Sequence, residues 1–161
     1  MIILVMGTTG AGKTTVGKLA AAQLGWIFLD ADNFHPPANI EKMKHGIPLT
    51  DGDRAPWMEN IHAELVGLSN AGKNAVLACS ALKQSYRDKL SSGVDLRIAY
   101  LRGTYDQMRR HIEARQGHFA GESILAGQFA DLEEPRNALA LDVSRTPEEL
   151  VAEIVAKFQL A

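Results

Sequence analysis

Ile2-Ile3-Leu4-Val5-Met6-Gly7-Thr8-Thr9-Gly10-Ala11-Gly12-Lys13-Thr14-Thr15 joins an unbroken apolar run to a turn with three glycines and then to Lys-Thr-Thr. The spacing is G-x-x-x-x-G-K-[ST], a strand feeding a phosphate-binding loop. Glycines let the backbone turn so that successive N–H groups point inward, and the helix that follows adds its positive N-terminal end. Val16, Leu19, Ala20 and Leu24 supply the helical spacing expected after such a loop. The residues Gly7, Thr8, Thr9, Gly10, Ala11, Gly12, Lys13, Thr14 and Thr15 therefore form a candidate cradle for a polyphosphate. Lys13 would set a point charge on the outer phosphates, and the Thr14 hydroxyl would be a ligand for the Mg²⁺ that accompanies ATP.

Outward from that stretch, 161 residues with 46% hydrophobic content suffice for one sizeable core and predict a single domain over 1–161. A net charge of −2 gives no global basic field, which argues against nucleic acid as a partner. The single cysteine, Cys79, suits a reducing compartment and reads as core at the end of an apolar strand. Ile2 to Met6 is too short for a membrane span and lacks a basic leader, so the expected location is the cytoplasm, with no membrane partner.

Further strands are expected at Trp26–Leu29, Ala75–Cys79, Leu96–Leu101 and Leu139–Val143, alternating with helices. Their continuous apolar character fits strands covered on both faces. The prediction is a three-layer α/β/α domain with a five-stranded, doubly wound parallel sheet and ligands at the carboxyl ends of the strands. Gly46 to Trp57, dense in Gly, Pro and Asp, reads as a polar loop and a candidate substrate surface. A helix over Tyr105–Arg115, with Met108 and Ile112 inward, and a short helix around Ile124–Leu132 form a candidate lid over roughly 105–132, broken at Gly117–Gly121. Thr146-Pro147-Glu148-Glu149 starts the last helix.

The second strand closes on Asp30-Ala31-Asp32, while the third ends in Cys79-Ser80 without the carboxylate that many phosphate-loop enzymes place there. Asp32 thus becomes the candidate to accept a hydroxyl proton, assist the metal, or both, against the plainer reading of a turn-bracing aspartate, which suits Asp30 better. Arg54 and Arg87 have the forked donors that clamp a carboxylate or phosphate, with Lys83 and Lys42 as weaker candidates. His35 reads equally as a substrate donor and as the residue fixing a turn before two prolines. Arg115, with Arg109 and Arg110 nearby, has the placement of a lid cation that stabilises transferring charge.

Several segments, in order and over nearly the whole chain, resemble the gluconate kinase (gluconokinase) family. They are Gly7 to Thr14, Leu29-Asp30-x-Asp32, His35-Pro36-x-x-Asn39-Ile40-x-Lys42-Met43 and Pro48-Leu49-x-Asp51-x-Asp53-Arg54-x-Pro56-Trp57. Cys79-Ser80-Ala81-Leu82-Lys83-x-x-Tyr86-Arg87, Arg115-x-Gly117-His118-Phe119, Gln128-Phe129 and Leu132-Glu133-x-Pro135 complete the set. The resemblance implies transfer of the ATP γ-phosphoryl group to the 6-hydroxyl of D-gluconate, a fold similar to shikimate and nucleoside monophosphate kinases, and a homodimer. The reading of the residues themselves is consistent with that: Lys13, Mg²⁺ and lid arginines neutralise the phosphoryl charge, Asp32 orients and deprotonates the hydroxyl, and Arg54 or Arg87 holds the acid end. Two departures stand out: Ala31 where Gly is expected, stiffening that turn, and His111 where the family has Arg, so that one lid contact is missing or falls to Arg110. The competing readings are a kinase for another small hydroxy acid such as shikimate, and a slow nucleotide-dependent switch, for which an Asn-Lys-x-Asp segment is lacking.

Overall fold

In the computed structural model, residues 1–116 and 120–160 are described, with side chains described outside 116–123. The Gly117-His118-Phe119 part of the lid motif lies outside the described residues. The chain runs β1 (Ile2–Met6), α1 (Lys13–Leu24), β2 (Ile27–Asp30), a single 3₁₀ turn (Ala31–Phe34), α2 (Pro37–Lys44), α3 (Asp51–Asn70) and β3 (Ala75–Ala78). It continues through α4 (Gln84–Ser91), β4 (Leu96–Arg102), α5 (Tyr105–Gln116), α6 (Ala120–Asp131), β5 (Leu139–Asp142) and α7 (Pro147–Lys157). The strands form one parallel sheet in the order β2-β3-β1-β4-β5.

β1 sits at the centre, paired with β3 on one side and β4 on the other. Its side chains split between two cores. Ile3 and Val5 pack with α1, α5 and α7, while Ile2, Leu4 and Met6 pack with α3 and α4. Both faces are dry, which is why the run is continuously apolar rather than alternating. Each such buried side chain stabilises the fold by ~1.5–3 kcal/mol, so the strand that launches the phosphate loop is firmly anchored along its whole length. No helix among the described residues is long and apolar enough to cross a membrane.

Two expectations change. The stretch read as a loop through Trp57 is a loop only to Thr50, and α3 begins at Asp51. A capping box starts it: Asp53 N–H donates to Thr50 Oγ1 at 3.1 Å and Thr50 N–H donates to Asp53 Oδ2 at 2.9 Å. The turn-residue density of Gly52, Asp53 and Pro56 masks that start, because the same small polar residues serve turns and helix N-termini. The segment Ser80–Arg87, for which no element is expected above, becomes helical at Gln84, whose N–H donates to Glu133 Oε1 at 2.7 Å. That cap comes from 49 residues away and has no local signature.

Candidate active site

The loop between β1 and α1 is shaped mainly by its backbone. Gly12 caps α1 at φ +91°, with open space where a Cβ would stand, and Gly10 (φ +83°) has Met108 O only 2.7 Å from such a Cβ. A side chain at Gly10 would strike α5, and one at Gly12 would meet open space but in a strained backbone conformation. Thr8 O receives Ala11 N–H at 3.2 Å and Lys13 Nζ at 2.9 Å. Burial pushes the Lys13 ammonium down to about 8, with the Arg115 charge adding to that and Asp32 opposing it. A polyphosphate would supply the counter-charge this lysine lacks. The buried Thr8 hydroxyl has no hydrogen-bond partner among the described residues, and Thr14 and Thr15 are exposed at the start of α1.

The 3₁₀ turn after β2 presents the aspartates differently. Asp30 caps the turn, its Oδ1 accepting from Asp32 N–H at 3.0 Å, which is the bracing role. The Asp32 side chain is exposed, has no hydrogen-bond partner among the described residues, and lies near enough to Lys13 and His35 for its charge to act on both. Ala31 is buried in helical backbone with its carbonyl accepting Trp57 Nε1–H at 2.7 Å, so this turn has no need of glycine. His35 stacks on Trp57 with centroids 4.1 Å apart, and its Nδ1 meets Asn39 Nδ2 at 3.2 Å. Burial lowers its pKa, Asp32 opposing, so the ring is neutral near pH 7. Lys42 belongs to the scaffold, pairing with Asp53 at 2.8 Å and drawing that carboxyl down to about 2.

Arg54, in the second turn of α3, faces the start of α4. Asp51 accepts from the Tyr86 hydroxyl and, at 3.0 Å to each oxygen, from Lys83 Nζ; Arg54 lies 3.5 Å from the Tyr86 hydroxyl and 3.6 Å from Asp51. Tyr86 and Lys83 hold the Asp51 carboxyl below its usual range, so it stays ionised. Two cations thus face one carboxylate, with Asp131 acting on Lys83 only through its more distant charge. Positive charge and forked donors remain for an incoming acid.

Arg87 corrects the sequence reading. Its side chain is 2% exposed, and its guanidinium donates to Ala81 O (2.7 Å), Leu82 O (3.0 Å), Glu133 O (2.6 Å) and Gln84 Oε1 (3.0 Å). Those bonds hold the turn after β3, where Ala81 takes a left-handed φ of +43° unusual for a residue with a Cβ. Arg87 clamps the chain's own carbonyls, whereas Arg54 and Lys83 gather on Asp51.

From the other side, α5 and α6 touch the loop. His111 Nδ1 meets Gly10 O at 2.9 Å, so the residue standing in place of Arg makes its own contact, whereas Arg110 turns back to Asp106 O at 3.4 Å. Arg109 pairs with Asp106 and Glu113. Arg115 is exposed, in no ion pair among the described residues, and within electrostatic reach of Lys13. Asp51, Tyr86 and Gln128 had no assigned role in the sequence reading; each lies in a motif quoted above, but nothing local says what it meets.

A nucleotide-type phosphate loop, a carboxylate within electrostatic reach of its lysine and a cluster of cations on Asp51 at the starts of α3 and α4 fit a phosphate-loop kinase acting on a small molecule. Comparison with known proteins narrows this. A shikimate kinase family model matches residues 9–157. The chain is 42% identical over 162 residues to a gluconokinase of Gluconobacter oxydans, covering 98% of this chain and 90% of that one. It is 38% identical over 159 residues to the thermoresistant gluconokinase of Escherichia coli K12, covering 96% and 91%. The crystal structure of a gluconokinase from Sinorhizobium meliloti superposes with a TM-score of 0.88 at 40% identity, covering 98% and 90%. The chain belongs to the gluconokinase family, within the wider shikimate kinase family.

Proposed function

We propose that this protein is a gluconokinase, transferring the γ-phosphoryl group of ATP to the 6-hydroxyl of D-gluconate to give 6-phospho-D-gluconate and ADP. The gluconate 6-oxygen attacks the γ-phosphorus, the bond to the β–γ bridging oxygen breaks, and the hydroxyl proton passes to Asp32. Lys13 and Arg115 neutralise charge on the transferring group, and the loop amides from Gly7 to Thr15 hold the donor. Thr14 and Asp32 are the residues that would hold Mg²⁺, which would supply positive charge to the phosphate groups when bound. Two hard oxygen donors suit an ion that takes its remaining ligands from phosphate and water.

At the acceptor end, Arg54 with Lys83 and Tyr86 holds the sugar-acid carboxylate, and His35, neutral and fixed on Trp57, offers a hydrogen bond to a hydroxyl. The observation that carries the reading is this cationic cluster, already gathered around one carboxylate. The kinase domain spans 1–161, with 105–132 acting as lid, and works in the cytoplasm as a homodimer.

The shikimate kinase model match gives one observation for a second acceptor. An ADP-release assay against gluconate, other sugar acids, shikimate and nucleoside monophosphates decides between them. Turnover with gluconate alone is expected; turnover with shikimate and none with gluconate overturns the reading.

A further inference from the structure

Gln128 has no part in the roles above, yet it touches the phosphate loop directly. Its Oε1 accepts Thr9 N–H at 2.6 Å, across 119 residues of sequence. The helix that carries it is firmly seated: Leu125 is fully buried one turn earlier, and Phe129 packs edge-on against Tyr105 with centroids 5.6 Å apart. The contact is therefore held in place from both sides along α6.

Thr9 marks one particular end of the loop. The neighbouring Thr8 carbonyl receives Lys13 Nζ at 2.9 Å, and the lysine of such a loop reaches the β- and γ-phosphates. Gln128 is thus docked at the outer-phosphate end. A carboxamide carries its acceptor and its two-hydrogen donor on one carbon, so an Oε1 fixed on the loop brings Nε2 to the same place. Among the described residues Nε2 has no hydrogen-bond partner.

We propose that Gln128 recognises the terminal phosphate of the donor, Oε1 bracing the Thr9 amide while Nε2 donates to a γ-phosphoryl oxygen. It thereby separates nucleoside triphosphate from diphosphate. The inference rests on the triphosphate reading of the loop.

The test is titration calorimetry of the full chain with Mg²⁺, comparing ADP with the β,γ-imido analogue of ATP, for wild type, Gln128→Ala and Gln128→Glu. Gln128→Ala should weaken the triphosphate analogue about tenfold or more, the scale of one hydrogen bond to a charged group, and ADP by less than about threefold. Gln128→Glu keeps an acceptor for Thr9 but replaces the donor with charge, so it should lose triphosphate affinity at least as strongly, and it serves if the alanine variant fails to fold. In turnover, kcat and the KM for ATP should move while the KM for the acceptor stays. Equal losses for both nucleotides reduce Gln128 to a support of the loop and overturn the proposal. So does unchanged or tighter triphosphate binding by Gln128→Ala, since Gln128 would then compete with phosphate for the Thr9 amide. Wild type that binds neither nucleotide refutes the triphosphate reading itself.

Discussion

The two halves of the active site are built from different material. On the donor side, a single contiguous loop presents backbone groups, with Lys13 and Thr14 as its chief side chains. On the proposed acceptor side, Asp32, His35, Arg54, Lys83 and Tyr86 come from the 3₁₀ turn and the residue after it, the start of α3 and the start of α4, with Arg54, Lys83 and Tyr86 meeting around Asp51. A phosphate can be held by backbone N–H groups that any residue supplies, so its site compresses into a motif. A sugar acid needs donors of particular charge and reach at separate points, so its site must be gathered by folding.

That contrast can be broken by experiment, beginning where the effect should be largest. Lys13→Ala removes a charge for which the loop has no substitute and should lower kcat by 10²-fold or more; retention of more than about a tenth of kcat would falsify its role. Asp32→Asn should cost kcat on the order of 10²-fold with an unchanged melting temperature, whereas an unaffected rate makes Asp32 a structural turn residue like Asp30.

The two arginines should separate cleanly. Arg87→Ala strands several buried carbonyls and should destabilise the fold by about 3 kcal/mol in denaturant unfolding. Arg54→Ala should leave stability within about 0.5 kcal/mol but raise the KM for the sugar acid roughly tenfold, with the KM for ATP barely moved. If Arg87→Ala instead unfolded like wild type and lost only acceptor affinity, the division between clamp and brace would be wrong.

The smallest effect concerns protons. Lys13 is lowered to about 8 in the nucleotide-free protein, and phosphate charge favours its protonated form. Above pH ~8 the free enzyme must therefore take up a proton on binding, so nucleotide affinity should fall as pH rises through that value, by at most about tenfold per pH unit. Calorimetry in buffers of different ionisation enthalpy measures the uptake directly, and Lys13→Arg, always charged, should abolish it.

How much was readable follows the same division. The five strands, the bounds of α1 near Leu24 and the capped start of α7 at Thr146 were legible because their signals are local: apolar runs, a loop motif, a capping residue followed by proline. The start of α3 was obscured by Gly52 and Pro56, although Thr50-x-x-Asp53 carried the signal. Arg87 was misread because a cation after a strand looks the same whether it faces a ligand or the chain's own carbonyls. His111 and Gln128 reach a loop about a hundred residues earlier, a pairing no local pattern encodes.

By itself, then, the sequence determined the phosphate loop, the parallel α/β architecture around it and the resemblance to kinases of sugar acids, because each rests on the order and spacing of neighbouring residues. The tertiary structure alone decided that Asp30 braces while Asp32 is exposed, that Arg54 and Lys83 gather on Asp51 while Arg87 holds the turn after β3, and that Gln128 sits on the phosphate loop. The reason is burial and direction: which partner a polar side chain meets depends on which elements pack beside it, and both terminal nitrogens of the Arg87 guanidinium are taken up by the chain's own acceptors while its Nε–H is buried.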